Sequence, residues 1–220
     1  MLRVLNVVAG AALFGSTAAL VFAATPKLTF TKSFPGSVPA YECVVVDRSG
    51  ALRYSEAASD DHPLMAQLEP TDAEALFAMA QKLDFGQPIE SGLKVANTGK
   101  KTFRFEDQSG TPREVTFNYS TLPAAQQLLD RFEQIAESER AYIQLERAVR
   151  YDKLGVNDAL AQIESLWLRK QLAAPQQFVP LLTRVSTKDV FMHLARERAA
   201  RLKDAFTALP QAAASDQKTK

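Results

Sequence analysis

Apolar residues change their spacing along this chain. Between residues 41 and 119 they run together or alternate one by one, and beyond residue 120 they recur every three or four positions. The first spacing belongs to strands and the second to helices. Tyr41-Glu-Cys-Val-Val-Val-Asp47 is β-branched and apolar on both faces, as an interior strand is. Ser49-Gly50 supplies a turn, and Ala51-Leu-Arg-Tyr54 returns as the hairpin partner. A second hairpin follows: Thr102 to Glu106 places Phe103 and Phe105 on one side, and Glu114 to Tyr119 does the same with Val115, Phe117 and Tyr119. The loop Asp107-Gln-Ser-Gly-Thr-Pro112 joins them, so one aromatic face is buried. Between the hairpins, Thr71-Asp-Ala-Glu74 has the form of a capping box, opening a helix to about Leu83 with Leu76, Phe77, Ala80 and Leu83 on one stripe. Asp84 to Lys101, with Gly86, Pro88, Gly92 and Gly99, reads as a long surface loop.

Beyond residue 120 the pattern is helical throughout. Ser120 or Thr121 caps a long helix with Pro123 in its first turn, ending near Leu154 at Gly155. Its stripe is Leu128, Phe132, Ile135, Tyr142, Leu145 and Val149, broken at Glu139. Asn157 caps a second helix with Leu160, Ile163, Leu166 and Trp167 inward, and Pro175 opens a short third one disturbed by Pro180. Ser186-Thr-Lys-Asp189 begins a fourth carrying Phe191, Leu194, Ala195, Leu202, Ala205, Phe206 and Leu209. The whole predicts an α+β fold: a small antiparallel sheet of four strands with one covering helix, then an all-α bundle or array of about four helices. The expected division is a sheet domain at 24–119, a helical domain at 120–209 and a frayed tail at 210–220.

Ahead of these elements, Val4 to Ala24 is apolar, and no charge falls between Arg3 and Lys27. Val21-Phe22-Ala23 ends it with the small residues that signal peptidase requires, so residues 1–23 read as a secretory leader cut after Ala23 or one residue later. The exported location, periplasmic or secreted, follows. The alternative is an uncleaved anchor, because residues 4–26 at roughly 1.5 Å each reach across a hydrocarbon core about 30 Å thick. Cys43 lies too far downstream for lipidation, and no other segment is apolar for long enough to span a bilayer.

Composition places the 220 residues among globular chains, with 46% hydrophobic and 23% charged residues. Loss of the leader removes Arg3 as the only charged residue and leaves the two signs balanced. That balance argues against nucleic acid, which requires a concentrated positive footprint, and against a membrane-surface role beyond the N-terminal segment. The first half carries a small acidic excess and the second half a small basic one.

Candidate chemistry is sparse. Cys43, the one cysteine, sits in an apolar strand and reads as an inert core thiol, with no internal disulfide. Asp60-Asp61-His62 offers three metal-ligand types in a turn, but adjacent residues rarely converge on one centre and no second cluster matches them. Glu133 and Glu137 share a helical face beside Glu139; on so charged a helix they read as solvated or ion-paired, like Glu146 with Arg150. His193, between Met192 and Leu194, reads as a partly buried structural histidine. Arg196, Arg198 and Arg201, with Arg147 and Arg150, suggest an anion-binding face, but Arg198 points away from the other two on a helical wheel. Ion pairs to Glu146, Glu197 and Asp204 are the simpler expectation. Phosphate loops, nucleophile elbows and zinc-protease spacings are absent from the sequence. No residue is therefore assigned a catalytic, cofactor-binding or metal-binding role, and no cofactor is expected.

The runs Phe34-Pro-Gly-Ser-Val-Pro-Ala-Tyr41, Glu90-Ser-Gly-Leu-Lys-Val95 and Tyr151-Asp-Lys-Leu-Gly-Val156 resemble stretches of exported bacterial proteins with no assigned function. The resemblance extends over most of the mature chain and implies no activity, cofactor or site residue. Two functional expectations stand. One is a non-catalytic exported module that presents a groove to a protein or peptide partner. The other is an envelope hydrolase or other enzyme built from carboxylates and His62 or His193, which requires one of those histidines to meet an acid in a pocket.

Overall fold

The computed structural model describes residues 25–109 and 111–216; the leader and the last four residues lie outside them. An antiparallel sheet is followed by a bundle of helices, as the hydrophobic pattern predicts. The sheet has six strands rather than four: β1 (Lys27–Ser33), β2 (Tyr41–Asp47), β3 (Ala51–Ser55), β4 (Leu64–Gln67), β5 (Lys100–Glu106) and β6 (Pro112–Phe117), in the order β4-β3-β2-β1-β5-β6. β1, which the pattern does not reveal, is a central strand. It joins the two predicted hairpins, pairing Phe30 with Val44 of β2 on one side and with Phe103 of β5 on the other. The β2–β3 turn requires Gly50: its φ is +88°, and a Cβ there would lie 2.6 Å from the Leu68 carbonyl oxygen.

One sheet face is covered by α1 (Pro70–Gln81) and by the first half of α2 (Pro123–Tyr151). Leu28, Phe30, Val44, Val46, Leu52, Tyr54 and Phe103 point into this layer, meeting Leu76 and Phe77 of α1 and Leu128, Phe132 and Ile135 of α2. The capping box at Thr71 is not formed. Pro70, whose ring presets helical φ, starts α1 two residues before the Asp72 that a Thr71 cap implies, and Glu69 occupies the cap without a side-chain hydrogen bond. The opposite face, bearing Thr29, Thr31, Tyr41, Val45, Arg53 and Glu114, is covered by no helix among the described residues, an arrangement open to antiparallel sheets.

The second half of α2 passes into another core, completed by α3 (Val156–Leu168), a 3-10 turn (Pro175–Phe178), α4 (Val179–Thr187) and α5 (His193–Asp216). Leu145, Val149, Leu160, Ile163, Leu166, Phe178, Leu182, Ala195, Leu202 and Phe206 fill it. Several local expectations give way. Gly155, not Asn157, caps α3; Pro180 lies in the first turn of α4, where a missing N–H costs nothing; and α5 starts at His193, so Leu194 is exposed. Its backbone stays helical to Asp216, past the Pro210 at which the sequence predicts fraying, through a stretch rich in Ala and Gln.

Candidate functional site

Two of the buried charged residues, Glu42 and Lys101, gather at one end of the sheet. Strand pairing sets Lys32 of β1 opposite Glu42 of β2 and opposite Lys101 of β5. All three are in phase with Phe30, Val44 and Phe103, so the two-residue period turns them toward α2 rather than to the open face. From α2, Glu133 and Arg140, two turns apart, reach down to the same row. Lys32 Nζ meets Glu133 Oε1 at 3.1 Å, and Arg140 is paired to Glu42, which is 5% exposed. Tyr54 from β3 places its hydroxyl 3.4 Å from Glu42 Oε1 and 3.1 Å from Glu56 Oε1.

Lys101 has no carboxylate partner. Its ammonium donates to Thr98 Oγ1 and to the Asn118 carbonyl, both at 2.8 Å, with the Thr98 and Gly99 carbonyls at 3.4 and 3.3 Å. Burial, followed by the repulsion of Lys32, lowers its pKa. The ammonium thereby ties the end of the long 84–99 segment to the sheet.

Two hollows open around this row. The smaller, about 220 Å³, lies between β6 and the start of α2 and is lined by Phe117, Ala125, Gln126 and Leu129 with Lys101 and Glu133. The larger, about 390 Å³, lies under the β1–β2 loop against Phe34, Val38, Pro39, Glu42 and Arg140. Lys32 and Thr98 line both, so the hollows form one trough along the sheet end. Its floor is mixed apolar and aromatic, its rim carries both signs of charge, and Val38 stands at the mouth almost wholly in solvent. The Ser37 hydroxyl is tied to the carbonyls of Phe34 and Pro39 at 2.7 and 2.6 Å. Neither a histidine nor a cysteine lines the trough; its ionisable groups are the carboxylates of Glu42 and Glu133, the ammonium groups of Lys32 and Lys101, Arg140 and Tyr119.

The residues singled out in the sequence lie elsewhere, apart from Glu133. His62 is exposed after β3, its N–H bonded to Asp60 Oδ1 at 2.9 Å. Asp60, Asp61 and His62 do not converge, and among the described residues no group of three such side chains is placed to hold a metal ion. His193 is not partly buried. It opens α5 in solvent and faces Glu197 at 3.2 Å. Neither histidine lines any of the five cavities described, so the meeting of His62 or His193 with an acid in a pocket, on which the hydrolase expectation depends, is not formed there.

Cys43 is buried, as expected, though on the face of the sheet opposite the helices, flanked by Thr31 and Ser55 on the neighbouring strands. Burial raises its thiol pKa, against a smaller lowering by the hydrogen bond to Tyr41. Arg198 and Arg201 share a face after all: both reach Glu164 of α3, at 2.9 and 3.5 Å, while Arg196 pairs with Asp189. Glu146 and Arg150 form the expected pair at 2.7 Å. Glu137 is half-buried on α2, and Glu139 is fully enclosed rather than solvated.

Sequence reasoning missed Lys32, Glu42, Lys101 and Arg140. The signal was present in the strands as a charged residue in phase with the apolar stripe: Lys32 with Leu28 and Phe30, Glu42 with Val44 and Val46, Lys101 with Phe103. Compared with family models, curated proteins and solved structures, the chain has no match. Among the described residues no helix is long and apolar enough to cross a membrane.

Proposed function

We propose that this protein is a non-catalytic binding module, exported by its N-terminal leader, that takes a short segment of a protein or peptide partner into the trough at the sheet end. The observation that carries the reading is the trough itself: two adjoining hollows sharing Lys32 and Thr98, with an aromatic and aliphatic floor and a rim of paired charges. Such a surface offers apolar burial for side chains and polar groups of both signs for a peptide backbone and its ends. Export rests on the run from Val4 to Ala24 and its closing Val21-Phe22-Ala23.

The test uses a photo-crosslinking residue in place of Val38, at the mouth of the trough, in the full-length protein made in its own cell type. One discrete crosslinked partner is expected. Gln126→Trp, which fills the smaller hollow from an exposed helix position, should remove that product while leaving the circular dichroism spectrum unchanged. Crosslinking that is absent, or indifferent to Gln126→Trp, overturns the reading. Mass spectrometry of the same material should find the chain beginning near Ala24; an intact Met1 on soluble cytosolic protein overturns export.

A further inference from the structure

Both passages of the chain between the two cores meet at a pair of polar contacts. α2 leaves the sheet core after Ala136 and enters the helical core at Ala141. The returning segment packs Ala173 and Ala174 in the sheet core and Phe178 in the helical core. At this double crossing, the Ala173 N–H donates to Ser138 Oγ at 2.8 Å and Gln177 Nε2 donates to Glu139 Oε1 at 2.8 Å.

The second contact is incomplete. Glu139 is wholly enclosed, yet Arg140, the next residue on α2, turns to Glu42 instead. Glu139 Oε2 and Gln177 Oε1 are both shut from solvent and both lack a hydrogen-bond partner. An ionised carboxylate and an amide oxygen are acceptors only, so neither can satisfy the other. One proton on Oε2 changes this, because a carboxylic acid both accepts from an amide N–H and donates to the amide oxygen.

We infer that Glu139 is a neutral carboxylic acid in the folded protein, sharing its proton with Gln177 in a two-bond acid–amide pair that latches the seam between the cores. The groups around it leave no other partner for a carboxylate. Tyr54 of β3 and Tyr142 of α2 are the phenols near enough to feel its charge; burial is the main cause that raises both, Glu139 adds a smaller part, and the Tyr54 hydroxyl lies with Glu56 and Glu42 instead. β4, packed on the 3-10 turn, has no ionisable side chain, and the one such residue of α4, Arg184, is exposed. On α5 beside Phe206, Lys203 and Asp204 face each other at 3.3 Å. Burial raises the carboxyl to about 7, opposed in smaller measure by the Gln177 hydrogen bond.

The sign follows from linkage. The folded pKa lies above the unfolded value of about 4.3, so the latch stabilises fully below that value and its contribution is lost as pH rises through about 7. Urea unfolding of wild type and Glu139→Gln across this range provides the test. The variant keeps both hydrogen bonds as an amide–amide pair and has no proton to lose. Relative to it, the wild-type unfolding constant should rise about tenfold per pH unit between roughly 4.5 and 7. Hydrogen exchange over residues 172–178, corrected for intrinsic rate, should quicken between about pH 4.5 and 7 in wild type, level off above about 7, and stay flat in the variant. Parallel pH profiles for the two proteins overturn the inference. Should Glu139→Gln fail to fold, carbon-13 NMR of the wild-type Glu139 carboxyl decides: titration near 7 supports the latch, and titration in the ordinary carboxylate range overturns it.

Discussion

Lys170 follows the last turn of α3 with φ +58°, in the left-handed region that suits glycine. The hydrogen bonds around it are those of a Schellman ending: Gln171 N–H to the Leu166 carbonyl and Lys170 N–H to the Trp167 carbonyl, both at 2.9 Å. A Cβ at this position costs about 1 kcal/mol, and the exposed lysine side chain makes no contact that offsets it. Lys170→Gly is therefore expected to raise stability by about 1 kcal/mol, read as a higher denaturant midpoint at unchanged slope. The position is hard to see in sequence because the residue there is not the one the backbone favours. Glu139 shows the reverse case. Its break in the α2 stripe is visible, but the pattern offers no way to tell a solvated acid from one sealed beneath Gln177, whose approach depends on a turn thirty-odd residues away.

At the scale of elements, α2 is held to the sheet by an aromatic stack and two charge pairs. Phe132 lies 5.3 Å from Phe30 and 5.9 Å from Phe103, ring centre to ring centre, and Phe103 lies 5.2 Å from Phe117. Phe132 is fully buried, so Phe132→Ala should cost about 3 to 5 kcal/mol in chemical unfolding, through lost burial and the cavity left between α2 and strands β1 and β5. Arg140→Ala acts differently. It leaves Glu42 enclosed without its guanidinium and should cost about 3 kcal/mol, whereas the double variant Arg140→Ala with Glu42→Gln should recover part of that loss. The helices are legible because a three-and-four stripe sustained over many residues matches no strand or loop period. β1 is not, since Lys-Leu-Thr-Phe-Thr-Lys-Ser carries only two strongly apolar residues, and β4 is four residues long. Helix starts shift wherever proline competes with a side-chain cap, as at Pro70.

For the whole molecule, the class of fold is readable and the site is not. Alternation before residue 120 and helical spacing after it suffice to specify a sheet followed by a bundle. The trough is assembled from β1, the 34–39 loop, β2, β5, α2 and the 97–98 and 117–120 segments, and no local window contains more than a fragment of it. Its charges meet only once strand register is known, because Lys32 acquires Glu42 and Lys101 as neighbours through pairing. The seam is likewise a property of the assembled molecule, since α2 serves both cores as one uninterrupted rod.

The central place of β1 has a further consequence for biosynthesis. Its two flanks are occupied by β2 and by β5, whose Glu106 pairs with Lys27. The ribosome makes β1 before any other strand, but this strand stays half-unsatisfied until Glu106 has emerged. Meanwhile Leu28 and Phe30 are bare, a stretch of the kind that holdase chaperones bind. The full sheet therefore cannot be completed until β5 has been made, whatever the speed of the remaining steps.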